Sequence, residues 1–220
     1  TTITELALKK NIGISHMVSL GNMLDVDFGD MIDFLGKRRE VSSIVVYMES
    51  LTNTRKFMSA ARAVSRNKPI VVLKAGRSPS GARAASSHTG SMAGEDAVYS
   101  AAFERTGIVR VKTFEELFDC AELLAKQPRP PKPDLAVVTN AGGMGVISMD
   151  SLGDYGIEPV RLRETTLAKL DAVLPPNWSR SNPVDIRGDA TTEEYRQAAE
   201  VLLEAEEVQG LLFIHVPQAT

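Results

Sequence analysis

Short apolar runs rich in β-branched residues alternate with stretches of helical periodicity along the chain. Nearly continuous apolar runs are typical of strands buried on both faces of a parallel sheet, and the pattern predicts strands at 14–20, 43–48, 70–73, 135–139 and 211–216. Apolar residues three and four positions apart predict helices that run to residue 11 and cover about 28–35, 53–64, 95–105, 114–126, 144–153, 164–173 and 192–206. This alternation predicts an α/β fold of two units with mainly parallel sheets.

Capping residues and one linker divide this pattern. Asp25 or Asp27 is expected to cap the helix at 28–35, and Asn53 is expected to cap the helix that follows. Their side-chain oxygens can accept hydrogen bonds from the first backbone amides of a helix. Gly107 is placed to end the helix at 95–105. The proline-rich segment 128–133 predicts a stiff linker between domains at 1–127 and 134–220. Segment 76–94 is rich in Gly, Ser and Ala and has no clear periodicity.

Charge and cysteine content exclude several classes of protein. The net charge of -3 and the pI near 5.7 argue against a nucleic-acid platform, which usually carries a basic face. The single cysteine, Cys120, allows no intrachain disulfide and no cysteine-based zinc site. Neither a membrane span of about 20 apolar residues nor a signal peptide is visible, so a cytoplasmic protein is expected. The chain opens on Thr1 rather than Met, and we expect a fragment of a longer polypeptide.

His88 is the first candidate for chemistry. It lies among small residues, including Ser86, Ser87, Gly90 and Gly94, which leave room for a substrate and for backbone amides. A neutral imidazole is a good nucleophile near pH 7, because the reference pKa of histidine is about 6.5. The alternative interpretation is a loop histidine without a function.

Glu49 is the second candidate, because it follows the apolar run at 43–48. Active sites of open parallel sheets lie beyond the carboxyl ends of the strands. A carboxylate bound to one ring nitrogen of a histidine fixes the tautomer and leaves the other nitrogen free to attack. We therefore expect Glu49 within hydrogen-bond reach of His88. The alternative is a solvated glutamate at the start of a loop.

A glycine-rich turn between a predicted strand and helix is the third candidate. Its residues are Asn140, Ala141, Gly142, Gly143, Met144 and Gly145. Such a turn presents free amides and the positive end of the helix dipole, which suits a phosphate or a phosphohistidine. The alternative is a tight turn without a ligand.

Other polar residues are weaker candidates. Arg77 and Lys74 are interpreted either as phosphate contacts or as solvated surface charges. Asn182 and Asp185 flank Pro183, where they form a turn or line the site. The histidines are too far apart in sequence for metal-ligand spacing, so no metal site is predicted.

Taken in order, these motifs resemble NDP-forming acyl-CoA synthetases, such as ADP-forming acetate–CoA ligase, which are related to succinyl-CoA synthetase. The resemblance covers essentially the whole chain. The motifs that carry it are VSLGN at 18–22 with Asp25 and Asp27, YMES at 47–50, KAGRS at 74–78, SHTG at 87–90, TNAGG at 139–143 and NPVDI at 182–186.

The resemblance implies two flavodoxin-like units and a role for each candidate residue. His88 matches the histidine that takes a phosphoryl group from an acyl phosphate and passes it to a nucleoside diphosphate. Glu49 matches the glutamate that orients it, and 141–145 matches a phosphate-binding helix start.

The same resemblance implies substrates and missing parts. CoA or acyl-CoA, ATP or ADP, and Mg belong to the full-length enzyme. A CoA-binding domain and an ATP-grasp domain are expected elsewhere, in the same chain or in another subunit, with a homo- or hetero-oligomer as the assembly.

Two alternatives stay open at this point. Similar domains fused to a protein lysine acetyltransferase act as acyl-CoA or ligand sensors, and Trp178-Ser179 before Asn182 resembles such fusions, although His88 is retained here. The other alternative is an α/β scaffold for subunit contacts.

Overall fold

Parallel sheets flanked by helices form the frame of both halves of the chain. The computed structural model describes residues 2–89 and 95–217, apart from the side chains of residues 2 and 86–89. The chain divides into two units, Thr1–Pro128 and Arg129–Thr220. Within the described residues each unit contains one sheet of three parallel strands. The predicted α/β fold with parallel sheets is therefore confirmed.

The first unit has the strand order β1-β2-β3. Its elements are α1 (Thr2–Lys9), α2 (Phe28–Gly36), β1 (Ile44–Met48), α3 (Thr54–Ser65), β2 (Ile70–Lys74), α4 (Pro79–Thr89), α5 (Asp96–Thr106), β3 (Val109–Val111) and α6 (Phe114–Lys126). The strand β2 is buried along its whole length. One face of the sheet packs against α2, α3 and α5 in a cluster that includes Val46, Val72 and Phe57. The other face packs against α6, with Leu73 and Leu117 in contact.

The second unit has the strand order β5-β4-β6. Its elements are β4 (Leu135–Thr139), α7 (Gly142–Asp154), α8 (Glu164–Val173), β5 (Val184–Asp185), α9 (Thr192–Leu203) and β6 (Gly210–Ile214). Ala136 and Val138 of the central strand are fully buried with Leu170 of α8 and Leu202 of α9. None of the helices in the described part of the chain combines the length and the apolarity needed to cross a membrane.

The structure corrects several boundaries. Residues 14–20 do not form a strand. Ile14, Met17 and Val18 are exposed, so this apolar run does not enter either of the two sheets in the described part of the chain. The helix α4 lies in segment 76–94, where no periodicity was visible. The short strands β3 and β5 were not predicted either. His215 follows the last strand instead of lying within it.

The capping prediction is resolved in favour of Asp27. Its Oδ1 accepts hydrogen bonds from the amides of Gly29, at 2.7 Å, and Asp30, at 3.2 Å. The Asp30 carboxylate in turn accepts from the Asp27 amide, which completes a capping box. Asp25 is exposed. The start of α2 therefore depends on one of the two neighbouring aspartates.

We expect Asp27→Ala to lower the free energy of unfolding of the first unit by about 1 kcal/mol, because two helix amides lose their acceptor. The matched variant Asp25→Ala should leave it nearly unchanged. Urea unfolding followed by far-UV circular dichroism measures both. Equal losses in the two variants would contradict the assignment of the cap.

Candidate active site

The carboxyl edge of the first sheet brings together residues that are distant in sequence. Because β1, β2 and β3 are parallel, their last residues lie at one edge, with Met48 in register with Lys74 and Leu73 with Val111. Glu49 follows β1 directly and is half-buried. The sequence-based placement of Glu49 at the end of a strand is therefore what the structure shows.

A neighbouring tyrosine holds the Glu49 carboxylate. The Tyr47 hydroxyl donates a hydrogen bond to Glu49 Oε1 at 3.3 Å. The Tyr47 ring stacks on Phe114, with 5.8 Å between ring centroids and 20° between planes. Burial, and secondly the negative charge of Glu49, raise the pKa of Tyr47, so the hydroxyl stays protonated and remains a donor. From the sequence, Tyr47 was included in the YMES motif but given no role, although its position two residues before Glu49 is a usable signal, because residues two apart along an extended chain share one face.

The helix α4 starts at the same edge through a tight turn. Gly76 has φ +72°, and a Cβ at this position would lie 3.3 Å from the Cβ of Ala85. Glycine satisfies both the left-handed backbone and the close approach. Ser78 Oγ accepts a hydrogen bond from the Gly81 amide at 3.1 Å and so caps the start of the helix. Arg77, between them, is exposed.

The segment that carries His88 leaves and returns to this edge. It leaves after Lys74, and it returns where the Lys74 ammonium lies 4.6 Å from the centroid of the Tyr99 ring of α5. His88 lies near the end of α4. Its side chain and Gly90 lie outside the described residues, and so does the expected contact between Glu49 and His88.

In the second unit, the turn after β4 is shaped by Thr139. Thr139 Oγ1 accepts a hydrogen bond from the Ala141 amide at 3.0 Å. The Ala141 carbonyl accepts hydrogen bonds from the amides of Met144 and Gly145, at 3.0 and 3.1 Å. Three of the amides in this turn are therefore already bonded.

The amides of Gly142 and Gly143 find no acceptor among the described residues. They form an adjacent pair at the N-terminus of α7, where the helix dipole favours negative charge.

Asp185 occupies one side of that helix start. Asp185 is in register with Thr139, and its Oδ2 lies 2.7 Å from the position that a Cβ of Gly142 would take. The Arg187 amide donates to Asp185 Oδ1 at 2.9 Å. Among the described residues, no atom outside its own chain neighbourhood lies within 4 Å of the corresponding position at Gly143. The turn thus has a side closed by a carboxylate and an open side.

The asparagines of these motifs bond to the protein backbone. Asn140 is buried and binds both backbone groups of Val216, each at 2.8 Å. Asn182 binds the Val137 amide and the carbonyls of Leu135 and Val160, at 2.9 to 3.0 Å. Both side chains therefore fix the second sheet.

Arg187 was not found from the sequence, which contains no signal for it. Its φ of +75° is uncommon for a residue with a side chain. Its guanidinium donates to both carboxylate oxygens of Asp189 and to Asn177. Its Nε is buried without an acceptor among the described residues. These contacts support the Asp185 turn.

The described histidines have local packing contacts. His16 lies 3.9 Å from Glu40 and packs edge-on against Phe34, and His215 packs against Tyr195. Within the described part of the chain, no group of three or more His, Cys, Asp or Glu residues is arranged to hold a metal ion.

Comparisons with known proteins give a consistent answer. The family described as succinyl-CoA ligase like flavodoxin domain matches residues 1–124. Acetate–CoA ligase (ADP-forming) I of Archaeoglobus fulgidus is 42% identical over 99% of this chain and 31% of its own length. The alpha subunit of acetate–CoA ligase (ADP-forming) II of Pyrococcus furiosus is 39% identical over 95% of this chain and 46% of its own.

A solved structure agrees with these relatives. The dinucleotide forming acetyl-coenzyme A synthetase 1 of Ca. Korarchaeum cryptofilum, in complex with phosphate and ADP, matches with a TM-score of 0.93 and 38% identity. The match covers 99% of this chain and 47% of that chain. The chain therefore spans about a third to a half of the length of these relatives.

We expect Gly142→Ala to lower the free energy of unfolding of the second unit by about 1 kcal/mol, because the new Cβ displaces the Asp185 carboxylate. Gly143→Ala is the matched control, and its Cβ enters open space. It should be neutral or slightly stabilising, since alanine favours a helix over glycine by up to about 1 kcal/mol.

The single tryptophan, Trp178, is buried in the second unit, so its fluorescence during urea unfolding reports on that unit. A loss in Gly143→Ala as large as in Gly142→Ala would show that the Asp185 contact is not the cause.

Proposed function

This chain belongs to the succinyl-CoA ligase like flavodoxin family, and we propose that it is the phosphohistidine-carrying part of an ADP-forming acid–CoA ligase. The full-length protein interconverts acyl-CoA, ADP and phosphate with the acid, CoA and ATP. Phosphate first displaces CoA from the acyl group and gives an acyl phosphate. A ring nitrogen of His88 then attacks the phosphorus, and the acid leaves as its carboxylate. Finally an oxygen of the ADP β-phosphate attacks, the N–P bond breaks, and ATP forms.

The observation that carries this proposal is the placement of the His88 segment. Both of its ends are held at the carboxyl edge of the first sheet, at Lys74 and at Tyr99. Glu49 stands at the same edge with its carboxylate held by Tyr47. A segment whose two ends meet this edge can bring a nucleophile to the carboxylate, and imidazole activation requires such an approach. This supports the proposal.

Glu49 acts on the tautomer of His88 in this mechanism. By accepting a hydrogen bond from the N–H of the ring, it leaves the lone pair of the other nitrogen free to attack phosphorus. After transfer, the same carboxylate holds the ring orientation while the phosphoryl group is passed on.

The helix start in the second unit is the proposed anion site. The amides of Gly142 and Gly143 supply donors at the positive end of α7, and the open side at Gly143 admits a phosphoryl oxygen. CoA, ADP and Mg bind to parts of the full-length protein beyond this chain, in the same polypeptide or in a partner subunit.

The sensor hypothesis has less support. Trp178, which resembled acetyltransferase fusions, is buried and donates to Asp171 Oδ1 at 2.9 Å, so packing accounts for it. The relatives compared above are named as ligases or synthetases, which favours the catalytic function.

Phosphorylation of His88 is tested by labelling the full-length protein with ATP carrying a radioactive γ-phosphate, in the presence of magnesium. We expect acid-labile, base-stable label in the wild type and none in His88→Ala, because a phosphoramidate bond breaks in acid. His16→Ala, which removes a histidine outside the site, should label normally. Equal labelling of wild type and His88→Ala would place the phosphoryl group elsewhere.

The role of Glu49 is tested by the rate of label formation in single-turnover experiments. We expect Glu49→Gln to slow it about a hundredfold, because the amide is a weaker acceptor for the ring proton. Glu40→Gln, which precedes the amino end of β1, is the matched control and should keep the wild-type rate. An unchanged rate in Glu49→Gln, with an unchanged Tm, would remove Glu49 from the mechanism.

A further inference from the structure

A lysine is buried at the carboxyl edge of the first sheet. Lys74 is the last residue of β2 and is 1% exposed. Lysine is almost never fully buried unless its charge is compensated. The sequence offered solvated surface charge as one interpretation, and the burial removes that interpretation.

The ammonium of Lys74 has neutral contacts. It donates a hydrogen bond to the carbonyl of Ala75 and lies 4.6 Å from the centroid of the Tyr99 ring, a favourable position for a cation. Leu51, two residues after Glu49, packs with Tyr99 against the same hydrophobic cluster. The ammonium is thus enclosed by β2, by the segment after Glu49 and by the start of α5.

The nearest carboxylate on α5 is engaged elsewhere. Asp96 pairs with Arg110 of β3, which also contacts Ser100. Within residues 3–85 and 95–217 no ion pair joins Lys74 to a carboxylate. The charged groups that act on Lys74 through space are Asp96, Arg110 and Glu49.

This arrangement costs stability. Burial lowers the pKa of Lys74, and the nearby Arg110 charge acts in the same direction, while Asp96 and Glu49 oppose them. A buried charge without a paired partner is more costly than an apolar side chain of similar size. A residue that costs stability at an active-site edge is a candidate for a functional role.

We propose that Lys74 is a positioning residue whose buried ammonium offsets the negative charge that Glu49 and a phosphoryl group on His88 place at the same edge. The inference rests on the proposed function, and it assigns to that site a cation on the first unit. Phosphorylation of His88 adds negative charge next to a carboxylate. In a site of low dielectric their repulsion would slow the transfer, and a fixed cation reduces it without any rearrangement.

The charge of Lys74 is removed by Lys74→Met in the full-length protein, and the rate of acid-labile labelling is measured. We expect a decrease on the order of a hundredfold, as when one preorganised donor is lost. The Tm should be unchanged or higher, because a buried charge has been replaced by an apolar side chain. Lys112→Met removes an exposed lysine after β3 and should keep the wild-type rate.

Lys74→Arg separates charge from packing. Arginine stays cationic, so this variant should label faster than Lys74→Met. In the wild type, labelling should fall as the pH rises through the lowered pKa of Lys74. The fall should be absent in Lys74→Arg. Any group that titrates in both proteins would leave the fall in Lys74→Arg, so its absence there assigns it to Lys74. Tyr99 does not cause the fall in labelling either, because burial raises the pKa of Tyr99 whereas it lowers the pKa of Lys74.

The outcomes are distinguishable. Wild-type rates in Lys74→Met would overturn the role of Lys74 and leave the phosphohistidine intact. A slow Lys74→Met with a lowered Tm, not rescued by Lys74→Arg, would show that Lys74 acts through packing and overturn the inference. Absence of label in the wild type would instead refute the proposed function, and the inference with it. Should Lys74→Met fail to fold, the pH profile of Lys74→Arg decides: the same fall as in the wild type overturns the inference.

Discussion

The parallel pairing of β1 with β2 is the constraint on which the first unit depends. Its register sets Met48 opposite Lys74, and this places the residue after β1, Glu49, beside the residue that ends β2. A shift of the register by a single residue would turn every side chain of a strand to the other face. The buried faces of β2 prevent this, because they pack against helices on both sides. The geometry of the edge therefore follows from the apolar core rather than from polar contacts.

The two units resemble each other in how they use a strand end. In each, a parallel strand stops and polar side chains gather in the first residues beyond it. The first unit gathers side-chain charges, Glu49 and Lys74, whereas the second offers backbone amides at Gly142 and Gly143 with Asp185 beside them. The first arrangement suits a nucleophile and its orientation. The second suits the binding of an anion.

The sequence predicted what local chemistry determines. Apolar runs located the longer strands, and the Asn53 and Gly107 caps are as expected. The helix α4 was missed because its residues are small and polar and form no apolar stripe, although Ser78-Pro79 is a common helix start. The burial of Lys74 and the approach of Asp185 to Gly142 depend on tertiary packing between segments far apart in sequence. No local pattern contains that information.

The double anchoring of the His88 segment sets a limit on its reach. His88 lies eight residues before Asp96, and an extended chain covers about 3.5 Å per residue. The Cα atom of His88 therefore cannot lie farther than roughly 28 Å from the start of α5, even if the whole connection straightens. The imidazole adds only the length of its side chain to this limit. In the proposed mechanism, every group that gives a phosphoryl group to His88 or takes one from it must come within reach of the imidazole inside this limit. Reactants bound within this distance meet the imidazole at an effective concentration that depends on the length of the segment between His88 and Asp96. It does not depend on the enzyme concentration.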